Sequence, residues 1–290
     1  MRIVMAVAMY RPCAVPDAPP YLPVQAGAAC NAPLNVQRDD EGQHISARNP
    51  LYCELTVHYW LWQNVEADAY GLCHYRRYFM HPSRKARSNG SLPEGAGCRR
   101  QTEGVLPEGV GCRRQTEGVL SEGVGCRRQT EGVLTGAQAE ALLADADVLV
   151  PRPRIYLIET NWSHYAHAHR ESDLTHLRAV IADTCPDYLP AFDRVMKRRW
   201  GRRFNMFIMR RAWFESYSAW IFPVLFALEE RLGSDIPPRT MGFIAERLLD
   251  VWLEHTRPRI RQLPVLHTEG QQWPKKITGF LRRKFCPRKM

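Results

Sequence analysis

The residues best suited to chemistry lie together in "LCHYRRYF", Leu72 to Phe79. An apolar run ends there in His74, Tyr75, Arg76, Arg77 and Tyr78. A guanidinium presents a planar fork matched to phosphate oxygens and stays charged at any working pH. Neighbouring residues on a strand face opposite ways, so Arg76 and Arg77 can serve one anion only where the chain leaves the strand. Tyr75 or Tyr78 could stack on a base or a sugar. The plainer alternative is two solvated charges at a strand end.

Three other stretches carry polar chemistry. "IETNWSHYAHAH" (158–169) packs Glu159, Asn161, Ser163, His164, Tyr165 and His167 closely. His164 and His167 are spaced i,i+3 and would share a helix face. That pattern is open to a metal, to a hydroxyl-rich ligand, or to a mere polar helix start. With no HExxH and no paired carboxylates nearby, the hydroxyl-rich ligand is preferred. "GFIAERLLDVWLE" sets Glu246 beside an apolar stripe, as a general base for a hydroxyl nucleophile or as half of an ion pair with an arginine. Asn205 opens "NMFIM" as a turn residue or a ligand. The chain has no GxGxxG after a strand, no GxxxxGK[ST] and no GxSxG. "DAD" at Asp145–Asp147 fits the loose metal pattern of nucleotide-sugar enzymes. It precedes a strand where theirs follows one, and is read as coincidence.

Something must hold these groups in place. "RIVMAVAM" (2–9), "AYGLCHY" (69–75), "DVLVP" (147–151), "RFNMFIM" (203–209) and "RQLPVLH" (261–267) read as strands. Residues 11–48 read as loop. Asn49-Pro50 opens a helix with Asn as N-cap, and further helices cover 137–146, 174–184, 190–199 and 241–255. The apolar stripe from Trp213 to Leu232 is cut by Pro223, which predicts a kink or two abutting helices. Strands alternating with helices imply an α/β fold with a mainly parallel sheet flanked by helices. In such sheets ligands bind beyond the carboxyl ends of the strands, where His74, Arg76 and Arg77 would lie.

The 290 residues carry a formal charge of +10. Much of the excess sits in "WPKKITGFLRRKFCPRKM" (273–290), a basic segment interleaved with Trp273, Ile277, Phe280, Leu281 and Phe285. Such a segment suits an anionic membrane surface, or is simply a solvated tail. Charge so localised, without an RRM, KH or helix-turn-helix pattern, argues against nucleic acid as partner. No apolar run is long enough to span a membrane, and the start of the chain lacks a signal-peptide cleavage pattern. The expected location is cytoplasmic, with the nine cysteines as thiols. Residues 94–135 repeat a 14-residue Gly-rich unit three times. This reads as a surface loop inserted into a single 1–285 domain, with a partner-binding array as the sharper alternative.

"YLPVQAGAA", "ISARNPLYCELTVHYWLWQN", "YGLCHYRRYF", "IETNWSHYAHAH", "YLPAFDRVMKRR", "RFNMFIM" and "GFIAERLLDVWLE" occur in that order. Together they resemble a bacterial capsular and exopolysaccharide biosynthesis glycosyltransferase family, formerly catalogued as a domain of unknown function and carrying an HYRRYF motif. The resemblance covers residues 1–80 and 134–285. It implies a GT-A-like fold, a nucleotide-sugar donor linked to UDP (UDP-galactofuranose in some members), and a growing polysaccharide or lipid-linked glycan as acceptor. Carried over residue by residue, it implies donor binding by His74, Arg76, Arg77, Asp39, Asp40 and Asn49. It places Asn161, His164, Tyr165, His167 and Asn205 on the acceptor or sugar side. Glu246, then Glu54, is the expected catalytic base. No cofactor is certain, and a divalent metal, Mn or Mg, is left open. The alternatives are a non-catalytic component of a polysaccharide assembly complex or, less favoured, a nucleic-acid-binding protein.

Overall fold

The apolar start of the chain forms the central strand β1 (Ile3–Met9), and the sheet is built around it. The computed structural model describes residues 1–16, 19–82 and 132–268. The basic tail at 273–290 lies outside the described residues, as does the repeat except for its last four residues, 132–135.

Next come β2 (Tyr21–Gln25), β3 (Gln37–Arg38), α1 (Asn49–Tyr52), α2 (Leu55–Asn64), β4 (Ala69–His74) and β5 (Arg77–Phe79). Beyond the repeat follow α3 (Gly136–Ala144), β6 (Val148–Pro151), β7 (Arg154–Ile155), α4 (Asn161–Ala166), α5 (Glu171–Thr184) and α6 (Leu189–Lys197). The chain continues through β8 (Trp200–Gly201), β9 (Phe207–Arg210), α7 (Arg211–Leu232), α8 (Thr240–Thr256), β10 (Ile260–Leu263) and β11 (Val265–His267).

The sheet runs β10-β6-β9-β4-β1-β2-β3. Along this path the pairs are parallel except those of β9, which is antiparallel to both β6 and β4. This is the mainly parallel sheet flanked by helices that the strand–helix alternation implied. The reversal matters for the site, because Leu72 pairs with Phe207 and the turn entering β9 lies beside the exit of β4. Strand β5 folds back on β4 at His74↔Arg77 and takes β11 on its other side.

Alternation along β1 feeds two cores. Ala6 and Ala8 face a large cluster with α2, α5, α6, α7 and α8. Met5, Val7 and Met9 face a smaller one with α3 and the β5 segment. Strand β4 passes so close to β1 and β9 that a Cβ on Gly71 would meet Met5 Cγ at 2.7 Å. The repeat ends by docking into the smaller core: Leu134 is fully buried, and its carbonyl accepts from the Tyr21 hydroxyl at 2.7 Å. Thr135 then caps α3, its side chain accepting from the Gln138 N–H.

Four expectations are corrected. Residues 11–48 contain β2 and β3. Residues 49–64 form two helices, because Cys53 adopts φ 52° between them, and Arg48, not Asn49, precedes the first turn. Helix α7 is one continuous helix through Pro223, not two abutting helices. Pro223 and Ala219 are both exposed, so the carbonyl that loses its partner can bond to water. Residues 261–267 divide at Pro264 into β10, on the far edge, and β11 against β5.

Candidate active site

The carboxyl edge of the sheet gathers the polar residues. His74 ends β4 and Tyr75, Arg76 and Arg77 follow it, and beyond β6 stands Arg154. Phe204 and Asn205 enter β9 at the same edge. Both lie in the left-handed region, at φ 84° and 49°. This conformation costs a bulky side chain about 1–3 kcal/mol. The surroundings hold the turn. Glu246 of α8 accepts the Phe204 N–H at 3.0 Å. The Asn205 amide donates to Glu54 at 2.8 Å and to the Gly242 carbonyl at 3.1 Å.

Onto this turn fold the cations. The guanidiniums of Arg77 and Arg154 lie 4.2 Å and 4.6 Å from the Phe204 ring centroid. Arg203 donates to Asn161 Oδ1 and to the Arg202 carbonyl, both at 2.6 Å. Arg247, almost fully buried, donates to the Phe243 carbonyl, lies over the Tyr165 ring and stands 3.3 Å from His164 Nδ1. Its nearest carboxylate contact, with Glu246, is long at 3.9 Å.

The electrostatics are those of a cation cluster short of counter-charge. Burial lowers the pKa of Arg77, with the charges of Arg76 and Arg154 adding to it. Burial and Arg203 bring Arg247 down to about 10. His74 is pushed down to about 3 by burial and by Arg77, Arg76 and Arg239. His164 reaches about 3 through burial and Arg247, Arg203 and Arg154. Both imidazoles are therefore neutral at pH 7. Burial raises the Glu54 carboxyl, and the charge of Glu246 adds to the rise against the Asn205 hydrogen bond. Six arginines thus act on one locus that holds two carboxylates. Such an arrangement can bind a polyanion and stabilise charge growing on one of its oxygens.

The other expected residues take distinct places. Asp39 is fully buried and accepts from the Gly27 and Ala28 N–H groups and from the Ser46 and Thr56 hydroxyls. It therefore organises the loop beyond β2. Asp40 pairs with Arg38 through both oxygens. Asn49 donates to the Cys53 carbonyl and the Thr56 hydroxyl. Its side chain packs on Gly27, whose φ is +66°. Asn161 spends its amide on the Val195 and Trp200 carbonyls and its oxygen on Arg203. Tyr165 is buried and donates to Asp173 at 2.8 Å. His167 points outward and pairs with Glu159. Hence His74, Arg76, Arg77, Glu54, Glu246, Asn205 and His164 converge. Asp39, Asn49, Asn161 and Tyr165 lie behind them as supports, and Asp40 and His167 lie apart.

Sequence reading missed Arg154, Arg203 and Phe204. The signal was present, since "RPRIY" and "RRFN" put arginines where strands end or begin. Asp147 sits at the amino end of β6, at the opposite edge, and is held by Arg259 at 2.8 Å. Among the described residues no group of three or more His, Cys, Asp or Glu side chains is placed to hold a metal.

The arginine-rich turn has its own anchor. Asp250 of α8 accepts the Arg202 N–H at 2.7 Å and its guanidinium at 2.5 Å, with both side chains buried. Asp250→Ala strands a buried cation and is expected to cost about 3–5 kcal/mol. Thermal melting reads this as a fall of the order of ten degrees for a chain this size. Replacing both Arg202 and Asp250 by Leu should recover part of the loss; a double variant as unstable as the single one contradicts this account.

The comparisons agree with this architecture. In the structure titled "WbbM bifunctional glycosyltransferase apo structure", one chain superposes with a TM-score of 0.74 at 23% identity. The match covers 93% of this chain but 46% of that one, so this chain spans about half the length of that protein. The likeness is one of fold: an α/β architecture shared with a glycosyltransferase. None of the curated proteins matches. The model of the family described as "Domain of unknown function (DUF4422)" matches residues 4–257, and the chain belongs to that family.

Proposed function

We propose that this chain is a glycosyltransferase that moves a sugar from a nucleotide-diphosphate donor to an acceptor hydroxyl. The observation that carries this reading is the excess of guanidinium over carboxylate charge at the carboxyl edge of the sheet. As the glycosyl bond breaks, negative charge grows on the leaving diphosphate, and Arg76 and Arg77 take it. Arg154, Arg203 and Arg247 extend the cationic surface toward His164. A carboxylate takes the proton of the acceptor, with Glu246 the first choice and Glu54 the second. The donor set suits an anion better than Mn or Mg, because a dication near Glu54 and Glu246 would meet the arginines as like charges.

Within this reading the donor is a UDP-sugar, UDP-galactofuranose among the candidates. The acceptor is a growing capsular, exopolysaccharide or lipopolysaccharide chain. The kinship in fold with a bifunctional glycosyltransferase supports glycosyl transfer from a nucleotide sugar to a glycan. Among the described residues no helix is long and apolar enough to cross a membrane. Contact with the inner face of the cytoplasmic membrane through residues 273–290 belongs to the same proposal.

Thermal-shift titration with UDP-sugars, UDP and oligonucleotides tests it. A UDP-sugar at about 100 times its Kd should add about 2.7 kcal/mol to stability. A shift with oligonucleotides and none with any nucleotide sugar would refute the proposal. Binding without transfer to any acceptor would favour the non-catalytic alternative.

A further inference from the structure

The segment that delivers Arg154 to the site has a second face. Arg154, itself exposed, reaches the Phe204 ring, and Tyr156, half-buried, packs on the His164 ring at 4.3 Å. The residues between and after them, Ile155, Leu157 and Ile158, turn out, with 78%, 86% and 61% of their surface exposed. No other large apolar side chain among the described residues exceeds 41%. A short ladder supports the lip: Ile155 pairs with Trp200, and the Tyr156 N–H donates to the Arg199 carbonyl at 2.6 Å. Ile155 and Trp200 therefore share a face, with the Arg198 guanidinium 4.7 Å from the indole ring.

The exposed charge along the two segments of this lip is positive, although Arg194 and Arg198 pair with Glu254 and Glu159 follows Ile158. Residues 148–158 and 194–205 contain no Asp or Glu, and Arg152, Lys197 and Arg199 are exposed. Protruding aliphatic side chains beside an indole and a ring of cations match the interface of an anionic bilayer: acyl chains, headgroup level, phosphate.

We propose that Ile155, Leu157 and Ile158, with Trp200 beside them, insert into an anionic lipid bilayer and set the mouth of the arginine cluster against the membrane surface. The contact is separate from any made by residues 273–290. It rests on the glycosyltransferase reading only for what the membrane presents, an acceptor carried on a lipid. Because the same short segment carries Arg154 and Tyr156, seating the lip also fixes them at the site.

The test is sedimentation of the full chain with vesicles of phosphatidylcholine containing phosphatidylglycerol. The wild type should partition onto them, less in high salt and less onto phosphatidylcholine alone. The triple variant Ile155→Ser, Leu157→Ser, Ile158→Ser should lose at least tenfold in partition constant. It should keep its melting temperature and its UDP-sugar shift, since these side chains are solvated in the free protein. Leu157→Phe should bind as the wild type does. Unchanged binding of the triple variant would assign the membrane contact to the tail and overturn the proposal. So would a wild type that ignores vesicles, or a triple variant altered only in oligomeric state, which would make the lip a protein interface. A failed UDP-sugar shift with vesicle binding intact would instead count against the donor assignment alone.

Discussion

Arg77→Ala should lower donor turnover by about 10²–10³-fold, the usual effect of removing one preorganised group from charge developing in the transition state. Arg77 is partly buried, its Nε meets no hydrogen-bond partner in the protein, and its guanidinium is steadied by the Phe204 ring. The group is thus held in position while its hydrogen-bonding capacity is not fully used. Arg77→Lys should restore little, because a compact ammonium neither stacks on the ring in the same way nor presents a fork. The free protein should be no less stable without this charge, since burial and Arg76 disfavour the Arg77 cation against the opposing pull of Glu246 and Glu54. A variant that melts at or above the wild-type temperature yet loses both turnover and the UDP-sugar shift is the expected pattern. Wild-type turnover in Arg77→Ala would remove the cation clamp from the mechanism.

The sheet was legible where side-chain period and burial agree. "IVMAVAM" and "AYGLCH" are apolar on both faces, as strands covered on both sides must be. Strand β2 was hidden by the proline in "YLPVQ". The fold tolerates Pro23 because the Ala26 N–H, three residues on, points to Met9 of β1, so position 23 points the other way. There β3 begins its pairing only at Val24, and no ladder bond is lost. The HYRRY motif could be located from the rule about strand ends alone. The rest of the cluster could not. Arg154, Arg203 and Arg247 come from three distant segments, and only the antiparallel β9 brings "RRFN" to the edge where β4 ends. Nothing local marks that reversal. The side chains of Asp39, Asn161 and Tyr165, expected as ligands from the resemblance, are taken up by backbone and neighbours.

Glu246→Gln should reduce turnover by about 10²–10⁴-fold, the span typical of a lost general base, with donor affinity little changed. A glutamine oxygen can still accept the Phe204 N–H, so the left-handed turn keeps its support and the loss can be assigned to chemistry. The pH profile carries a second signature. The charge of Glu246 helps to hold the Glu54 carboxyl above its ordinary range. Removing that charge lets the Glu54 pKa fall, so Glu54 stays ionised to lower pH. If the residual activity of Glu246→Gln runs through Glu54, its acid limb follows the Glu54 carboxyl, at a pH below the one at which Glu54 titrates in the wild-type protein. Glu54→Gln is the complement. It removes the carboxylate that Asn205 meets, but its amide oxygen can still accept that bond. If Glu54→Gln loses turnover as Glu246→Gln was expected to, while Glu246→Gln works normally, the base is Glu54. Glu246 is then the residue that holds the turn against Arg247. Should both variants turn over at the wild-type rate, neither carboxylate takes the acceptor proton, and the two serve only to fix Phe204 and Asn205 beneath the arginines.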